Sequence, residues 1–526
     1  MSSRPIALVG GSIIDGTGAP ARPGSILIAD GVITDVVDPA TSLSTDVATV
    51  DCSGSVVAPG FIDTHSHADN VPFLAEDDVS KIEQGVTTEV TGNCGFSLAP
   101  IDPFTEDAAS TLLSRIFPPM DFAWAQVDEL YSSLEDRGLV THHAPLVGHN
   151  TLRIAAMGAD GRAAERDEVA RMVTELEKAL EAGAFGLSSG LIYPPGLFSE
   201  PSELRALTAL LGKDRVYATH MRNESTRVLE SVAESLDAVG DRCRLHVSHV
   251  KIADPEQWGR MNDYMTALDT ARQNGQDVFQ DAYPYSAGST MLTATLPPWF
   301  HDGGEPAVLA RLESPDVLRR ARYDMENDRS YENMVIGGWD KIVVSSTGSH
   351  RFEGSSITDI ANAMGVEPFE ALVRVLREEQ LKATMVVHFM HEDDVHTALA
   401  HPLTAIGSDG LPPGTGGRPH PRTYGTFPRV LGHYARDEGL MTMEEAVRRM
   451  TQLPAQIFGL ADRGVIRRGA AADLVTFDPA AVIDTATYED PIARPRGIDC
   501  VFQDGTLVVR GGRWQGKRRG RRLRAA

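Results

Sequence analysis

Short apolar runs separated by turn residues fill both ends of the chain. Near the N-terminus the pattern is clearest around Asp30-Gly31, a dipeptide between two apolar runs that is a strong hairpin signal. The same texture returns at residues 500–509. Neither end carries enough apolar residues to bury a core alone. We therefore predict that residues 1–60 and 465–526 pair into one small β-sandwich domain.

Between these ends the pattern changes to short apolar runs that alternate with longer amphipathic stretches. This alternation is typical of βα units around a parallel sheet. The amphipathic stretches are clearest at residues 165–182 and 224–239. The candidate strands end at His67, Cys94, Gly148, Ser189, His220, His249, Tyr283, Met390 and Asp409. A (β/α)8 barrel has eight places, so one of these candidates is expected to be an extra strand.

A third pattern interrupts the alternation. After residue 285, Pro-Pro-Trp and Gly-Gly clusters with mixed charges break the βα rhythm as far as about residue 345. We predict an inserted subdomain over residues 286–345, and a catalytic barrel formed by residues 61–285 and 346–464. The predicted fold class is therefore α/β: a (β/α)8 TIM-like barrel with a small β-sandwich domain built from both termini and an inserted subdomain.

Composition and charge narrow the range of functions. The chain of 526 residues is 42% hydrophobic and 23% charged, and has no apolar run long enough to span a membrane. Its net charge of −24 argues against a nucleic-acid partner. Four scattered cysteines, and an N-terminus without the layout of a secretory signal, predict a reducing cytoplasm. The basic residues of 513–524 are expected to form a frayed, solvated tail.

Residues 60–67 (GFIDTHSH) carry the most informative local pattern. An apolar run that predicts a buried strand ends in two histidines one residue apart. Because residues i and i+2 of an extended strand face the same way, His65 and His67 point to one spot. Neutral imidazole is a common ligand of zinc-like metals. A lone His-x-His also arises by chance, so the other ligands decide its meaning.

Further ligand-type residues stand at predicted strand ends, which in a (β/α)8 barrel converge on one mouth. The complete set of candidate metal ligands is His65, His67, Cys94, His220, His249 and Asp409. A catalytic zinc takes about three protein ligands and leaves a position open for water, so six ligands suit two adjacent sites. Cys94 can bridge them, because sulfur has more than one lone pair and metal binding keeps the thiol ionised.

The remaining histidines and cysteines receive simpler interpretations. Histidines near the third strand are expected to be structural or surface groups: His142, His143 and His149. Two that flank the ninth candidate strand are candidates for lining the pocket without binding metal: His388 and His391. The other cysteines are expected to be ordinary buried thiols: Cys52, Cys243 and Cys500.

With these residues in view, the chain resembles the metal-dependent amidohydrolase superfamily and, within it, the D-aminoacylase (N-acyl-D-amino-acid deacylase) family. Residues 15–18 (DGTG) and 58–69 are similar to the family's N-terminal signature, and residues 464–475 to the superfamily's C-terminal one. The discriminating motif is residues 92–96 (GNCGF), because most dinuclear relatives bridge their metals with a carboxylated lysine rather than a cysteine. Two further segments resemble family motifs: residues 283–290 (YPYSAGST) and 419–422 (PHPR).

The resemblance implies roles for individual residues. A tightly held zinc would take Cys94, His220 and His249. A second, weaker zinc would take His65, His67, Cys94 and Asp409. The positions that match the family's ligands for the substrate α-carboxylate are Lys251, Tyr283, Ser289 and Arg422. Such a set is apt, because arginine offers a planar fork for a carboxylate and lysine a compact charge.

The implied reaction is zinc-dependent hydrolysis of the amide bond of a small N-acyl-D-amino acid, giving a D-amino acid and a carboxylic acid. Zinc lowers the pKa of bound water to about 7, and Asp409 is the expected general acid/base. A cyclic-amide hydrolase of the hydantoinase or dihydroorotase kind is an alternative, although it would normally carry the lysine. A peptidase acting on D-residues is another. A non-catalytic scaffold should lack several of the ligands, and this chain keeps all six.

The loop of residues 189–194 (SGLIYP), which includes Ile192, is expected to meet the substrate side chain. It is apolar and offers no cation. N-acyl derivatives of D-Met, D-Leu and D-Phe are therefore expected to react faster than those of D-Asp and D-Glu. The sequence leaves the acyl group and the oligomeric state open.

Overall fold

The computed structural model describes residues 5–118, 120–122, 124–412 and 417–525. The strands in chain order are β1 (Ile6–Ile13), β2 (Arg22–Ala29), β3 (Val32–Val37), β4 (Ala48–Asp51), β5 (Val56–Pro59), β6 (Phe61–Asp63), β7 (Val86–Thr91), β8 (His142–Pro145), β9 (Val147–Gly148), β10 (Gly186–Gly190), β11 (Val216–His220), β12 (Arg244–Val247), β13 (Val278–Ala282), β14 (Gly288–Met291), β15 (Ile342–Ser346), β16 (Thr384–Val387), β17 (Thr404–Ile406), β18 (Leu474–Phe477), β19 (Ile498–Gln503), β20 (Thr506–Arg510) and β21 (Arg513–Trp514).

The α-helices are α1 (Glu106–Leu113), α2 (Val127–Arg137), α3 (His149–Met157), α4 (Arg166–Glu181), α5 (Pro201–Thr208), α6 (Val228–Val239), α7 (Met261–Gln273), α8 (Gly304–Leu312), α9 (Pro315–Asn327), α10 (Ile357–Met364), α11 (Pro368–Glu378), α12 (Glu392–Ala400), α13 (Arg422–Arg429), α14 (Met443–Met450) and α15 (Gln452–Phe458). A π-helical segment, Val430–Asp437, continues α13. Within the described residues no helix combines the length and the apolarity needed to cross a membrane.

The two amphipathic stretches chosen from the sequence are the helices α4 and α6. The start of α4 is fixed by the backbone N–H of Glu165, which donates to the carboxylate of Glu168. The start of α6 lies four residues later than expected. Asn223 explains the delay, because its side-chain oxygen accepts the backbone N–H groups of Ser225 and Arg227 and holds a turn there.

Strands from both ends of the chain share one nine-stranded sheet, in the order β21-β20-β19-β18-β5-β1-β2-β3 with β4 beside β1. The joint between the ends is the antiparallel pair of β18 and β5, in which Leu474 faces Pro59 and Phe477 faces Val56. Apolar side chains of both ends pack in one cluster, as the expected pairing requires. The sandwich form of this domain stays a prediction.

The βα part of the chain contributes two parallel sheets, β6-β7-β8 and β17-β13-β12-β11-β10-β9. Backbone contacts join them on both sides. The N–H of Leu146, between β8 and β9, donates to the carbonyl of Thr91 at 2.9 Å. On the other side, Ser66 after β6 forms a parallel bridge with Gly410 after β17. The carboxyl ends of these strands therefore lie on one side of the molecule.

The extra strand among the nine candidates is β16. It pairs antiparallel with both β14 and β15 in a separate three-stranded sheet. Side chains of this sheet and of other residues between 292 and 389, together with Ala253, form a separate hydrophobic cluster. The domain boundaries at residues 286–345 and 346–464 stay predictions. β16 lies within residues 346–464, but it pairs with β14 and β15 of the preceding segment rather than with the parallel strands.

The expectation of a frayed C-terminal tail is wrong. Gly520 pairs with Leu139, and the N–H of Leu523 donates to the carbonyl of His143 at 2.7 Å. Leu523 is buried in an apolar cluster. Arg522 is buried as well, and its guanidinium lies 2.7 Å from the carboxylate of Glu135. The many basic residues of 513–524 made this segment look solvated in the sequence. One buried leucine and several backbone hydrogen bonds are enough to order it.

Candidate metal centre

Each of the six predicted ligands lies at the carboxyl end of a parallel strand. The pairs of strand and ligand are β6 with His65 and His67, β7 with Cys94, β11 with His220, β12 with His249, and β17 with Asp409. All six side chains belong to buried residues. Because the strands run in one direction, their ends bring these side chains to one place.

The first group of ligand atoms comes from Cys94, His220 and His249, and these atoms all lie within 4.8 Å of one another. The Cys94 Sγ is 3.8 Å from Nδ1 of His220 and 3.5 Å from Nε2 of His249. Three buried donors of this kind match the usual number of protein ligands in a catalytic zinc site.

The second group comes from His65, His67, Cys94 and Asp409, again within 4.8 Å of one another. The Cys94 Sγ lies 3.2 Å from Nε2 of His65. The Oδ1 atom of Asp409 lies 3.5 Å from Nε2 of His65 and 3.3 Å from Nε2 of His67. Cys94 belongs to both groups, so its sulfur is the atom that joins them.

The backbone at the site is held in an unusual conformation. The φ angles of Cys94, His249 and Asp409 are 52°, 35° and 49°. Positive φ is uncommon for residues other than glycine and persists where the surroundings enforce it, often at functional sites. Gly92 has a φ of 77°, and a Cβ there would lie 2.1 Å from the carbonyl oxygen of Leu146. Only glycine fits that turn, which aims Cys94 at the histidines.

Burial governs the protonation of the first group. It lowers the pKa of His220 and of His249 well below the ordinary value, so both imidazoles are neutral. It also raises the pKa of the Cys94 thiol, against the opposing effect of His65. Neutral imidazoles and a buried thiol suit a borderline-soft cation, which would ionise the sulfur. The donor set therefore fits zinc.

Asp409 carries the negative charge of the site. Burial alone would raise its pKa, but Arg422 and the nearby histidines hold the pKa well below its usual range. The Arg422 Nη1 atom lies 2.9 Å from Oδ2 of Asp409. One carboxylate oxygen is thus held by the guanidinium, and the other faces His65 and His67.

Behind the ligands, Asp281 on β13 contacts three histidines. Its Oδ2 lies 2.5 Å from Nε2 of His246 and 3.6 Å from Nδ1 of His65, and its Oδ1 accepts the backbone N–H of His249 at 2.7 Å. Burial alone would raise the pKa of Asp281, but His246 and His65 lower it. A carboxylate behind a ligand histidine fixes the orientation of the ring.

The carboxylate of Glu224 lies behind His220 and His249 of the first ligand group, as Asp281 lies behind His65. Its Oε2 lies 3.3 Å from Nε2 of His220 and 2.8 Å from Nζ of Lys251, and its Oε1 lies 3.3 Å from Nδ1 of His249. Both ligand histidines therefore meet the same carboxylate on the side away from Cys94. Asp281 and Glu224 were missed in the sequence, where one stands inside an apolar run and the other in a polar loop.

Comparison with known proteins identifies the family to which this chain belongs. The family model described as "Amidohydrolase family" matches residues 48–509. The chain belongs to the amidohydrolase family. A curated relative, a D-aminoacylase of Alcaligenes xylosoxydans xylosoxydans, is 37% identical over 526 residues, which cover 98% of this chain and 97% of the relative. The resemblance drawn from the motifs is thereby confirmed, as is the assignment to the hydrolases.

Two solved structures extend the comparison within the family. A D-aminoacylase, described for one-metal activation and second-metal attenuation of its binuclear metal centre, is 35% identical with a TM-score of 0.83, covering 99% of both chains. An N-acyl-D-glutamate deacylase from Bordetella bronchiseptica, complexed with zinc and a phosphonate mimic of the tetrahedral intermediate, has the same identity, coverage and TM-score. The chain is thus similar throughout its length both to a D-aminoacylase and to a deacylase named for an acidic N-acyl-D-amino acid.

The residues expected to hold the substrate lie on two sides of the ligands. A small cavity of about 40 Å³ is lined by metal ligands together with Lys251, Tyr283 and Ser289. Arg422 does not line it: the guanidinium lies behind Asp409 and donates to the carbonyl of Ser289 at 3.0 Å. Lys251 already lies against Glu224, so both cations have carboxylate neighbours before substrate arrives.

Ile192 lines a second, larger cavity of about 960 Å³ beside the metal ligands. The two cavities share four lining residues: Tyr193, Met291, Glu332 and Met334. The loop after β10 therefore borders both spaces, as expected of a segment that meets the substrate. Burial and, to a smaller extent, the neighbouring Glu224 raise the pKa of the shared Glu332 to about 8.

The histidines outside the ligand set have other partners. His149 is buried, with its Nε2 2.6 Å from Glu203. Burial lowers the pKa of His142 to about 3 and that of His143 to about 4. His388 lies against the ring of Tyr488 and lines neither of the two cavities described above. His142, His143 and His149 are buried, in keeping with a structural role, whereas His388 does not line the pocket for which it was a candidate.

Proposed function

We propose that the chain hydrolyses the amide bond of N-acyl-D-amino acids with bound zinc, releasing a D-amino acid and a carboxylic acid. The observation that carries the proposal is the Cys94 thiol shared by two groups of metal-ligating side chains. Similarity over the full length to a D-aminoacylase and an N-acyl-D-glutamate deacylase supports it. Cyclic-amide hydrolysis is disfavoured, because a cysteine stands where such enzymes normally carry a lysine.

In this proposal the two ligand groups hold two ions of unequal affinity. Cys94, His220 and His249 hold the tight zinc. His65, His67, Cys94 and Asp409 hold the weaker one. The second group contains Asp409, whose other oxygen is shared with Arg422, and this competition supports a weaker site.

When bound, zinc polarises the acyl carbonyl and lowers the pKa of a water molecule to about 7. Asp409 then moves the proton. Arg422 anchors its Oδ2, so its Oδ1 stays beside His65 and His67, where the scissile bond must come. The ionised carboxylate takes the proton of the attacking water and delivers it to the departing nitrogen.

The substrate α-carboxylate binds to Lys251, Tyr283, Ser289 and Arg422. The first three line the cavity of the metal ligands, which supports this role. The guanidinium of Arg422 lies 4.7 Å from the centre of the Tyr283 ring, close enough to add to the same positive field. With the carboxylate and the carbonyl both fixed, the α-hydrogen and the side chain can exchange places only between enantiomers, so one hand is preferred.

The fold proposed for this chemistry is a closed (β/α)8 barrel with a terminal β-sandwich domain and an insertion. The backbone contacts on both sides of the two parallel sheets support closure. The shared terminal sheet supports the sandwich. A cytoplasmic location is part of the same proposal and is supported by four cysteines that are all free and buried.

The test of the proposed function is a chiral panel combined with metal removal. We expect N-acetyl-D-Met and N-acetyl-D-Glu to exceed their L-enantiomers in kcat/KM by about 100-fold or more. A chelator should abolish the activity, and zinc should restore it as the first equivalent binds. A preference for the L-enantiomers, or full activity in metal-free protein, would overturn the proposal.

A second expected result concerns Asp281. Because its carboxylate orients His65 and holds the backbone of His249, Asp281→Asn should weaken zinc binding by about 10- to 100-fold, the range for such outer partners. Zinc affinity is measured by competition with a chromophoric chelator, which reports on the site without turnover. Asp277→Asn is the matched control, since Asp277 is about half exposed and pairs with Arg244 at the start of the same region. Equal zinc affinities in both variants would show that Asp281 does not position the ligands.

A further inference from the structure

Arg115 lies two residues after α1, at the rim of the metal-ligand cavity, and has no role in the proposed chemistry. Its side chain is only 5% exposed. It lines the same small cavity as Cys94, His249, Tyr283 and Ser289. A guanidinium is always charged in proteins, so this position places a permanent positive charge beside the reacting groups.

The charge of Arg115 is poorly compensated. Among the described residues its guanidinium forms no hydrogen bond, and its Nε is buried without a partner. The nearest carboxylate is that of Glu305 on α8, at 4.0 Å from Nη2, which is too long for a hydrogen bond. Burial accordingly lowers the pKa of Arg115, with Glu305 opposing the effect. Burying a charge without hydrogen bonds costs free energy. A ligand that supplies hydrogen bonds to the guanidinium offsets this cost, which favours binding of the ligand.

The other two cations at the site, which are assigned to the α-carboxylate, each lie beside a carboxylate of the protein. Lys251 lies against Glu224, and Arg422 lies against Asp409. The carboxylates that line the small cavity are those two and Glu332, which lies beside Glu224. On its other side Arg115 borders a cavity of about 170 Å³, in which Lys382 and Arg422 are further cations and none of the described lining residues is a carboxylate. The local field around Arg115 therefore favours an anion.

We propose that Arg115 receives a second carboxylate of the substrate, so that the preferred substrates are N-acyl-D-amino acids that carry two acid groups. This inference rests on the proposed function and names the substrate class of that site. The α-carboxylate goes to Lys251, Tyr283, Ser289 and Arg422, and the second carboxylate to the guanidinium of Arg115. The second acid group belongs either to the amino-acid side chain, as in D-Glu, or to the acyl group, as in an N-succinyl derivative.

The proposal reverses the preference expected from the loop of residues 189–194. That loop is apolar, and its Ile192 lines the larger cavity rather than the cavity of the metal ligands. The cation comes instead from the loop after α1, which follows Cys94 in the chain but belongs to none of the motifs. A planar guanidinium can bind a carboxylate through two parallel hydrogen bonds, which discriminates against a substrate that lacks the acid group.

The test compares four substrates with the zinc-loaded enzyme and with Arg115→Met: N-acetyl-D-Glu, N-acetyl-D-Asp, N-succinyl-D-Met and N-acetyl-D-Met. In the unmodified enzyme at least one of the three diacids should exceed N-acetyl-D-Met in kcat/KM. In Arg115→Met the ratio of that diacid to N-acetyl-D-Met should fall by about 10- to 100-fold, as expected when a charged hydrogen-bond partner is removed. A preference for N-acetyl-D-Glu or N-acetyl-D-Asp places the second acid on the side chain, and one for N-succinyl-D-Met places it on the acyl group.

Binding provides a measurement independent of turnover. The products D-Glu and D-Met, or succinate if the acyl series is preferred, are titrated calorimetrically into the zinc-loaded protein. The diacid product should bind more tightly, and Arg115→Met should remove that advantage whereas Arg115→Lys should keep part of it. Arg171→Met is the control, because Arg171 is exposed on α4 and away from the metal ligands, and it should leave all ratios unchanged.

The outcomes separate the two proposals. Hydrolysis of none of the four substrates would overturn the proposed function itself. Hydrolysis with N-acetyl-D-Met equal to or faster than every diacid would overturn the role of Arg115 and leave the proposed function standing. A diacid preference that survives in Arg115→Met would also overturn it. If Arg115→Met does not fold, the substrate ranking of the unmodified enzyme and the Arg115→Lys titration still decide.

Discussion

Replacing Cys94 by alanine is expected to remove the tightly bound zinc and nearly all hydrolytic activity. The Sγ atom lies 3.2 to 3.8 Å from nitrogens of three histidines and belongs to both ligand groups. Removing it leaves two neutral imidazoles in the first group. The loss of zinc affinity should exceed the change caused by outer partners, and we expect about 100-fold at the least. Metal analysis after gel filtration and kcat with N-acetyl-D-Met and N-acetyl-D-Glu measure both effects.

The matched control for this variant is Cys243→Ala. Cys243 is also a free, buried thiol, and burial raises its pKa to about 12, so it tests the loss of a buried sulfur without the loss of a ligand. It should keep its zinc and its turnover. Cys94 has a positive φ, which alanine tolerates no worse than cysteine does. Added backbone strain therefore does not explain a difference between Cys94→Ala and Cys243→Ala. A Cys94→Ala protein that keeps a full zinc atom and normal kcat would contradict the assignment of both sites.

The six candidate ligands were predictable because the strand topology determines which side chains become neighbours. Parallel strands bring their carboxyl ends together whatever the sequence between them, so a histidine, thiol or carboxylate at each strand end becomes a neighbour of the rest. His220 and His249 need no motif to be found by this argument. Their neutral protonation state and their roles as ligands follow from burial and from the neighbouring thiol once these neighbours are known.

The supporting residues were not predictable in the same way. Asp281 stands one residue before the end of β13 and looks like a polar interruption of an apolar run, whereas its partners lie on or just after β6 and β12. Glu224 and Arg115 come from loops, whose paths depend on packing rather than on periodicity. The apolar pattern of residues 384–387 matched a parallel strand, but periodicity does not distinguish parallel from antiparallel pairing, and β16 pairs antiparallel.

Asp409→Asn should lower kcat by about 100- to 10,000-fold, the range for a general acid or base. The amide keeps the shape of the carboxylate and its place beside His65 and His67, but it cannot accept the proton of the attacking water. The tight group of Cys94, His220 and His249 does not include Asp409, so this variant should keep one zinc atom. That retention distinguishes it from Cys94→Ala.

The pH profile and a control variant complete the experiment. Because Arg422 and the histidines hold the pKa of Asp409 well below its ordinary value, the carboxylate is ionised throughout the neutral range, and its protonation should limit kcat only in acid. In Asp409→Asn this acid limb should disappear from the residual activity. Asp263→Asn, at an exposed position on α7, should keep both the limb and kcat. If Asp409→Asn retained more than about a tenth of kcat, the proton would have to move through another group, because a removed base leaves no such activity.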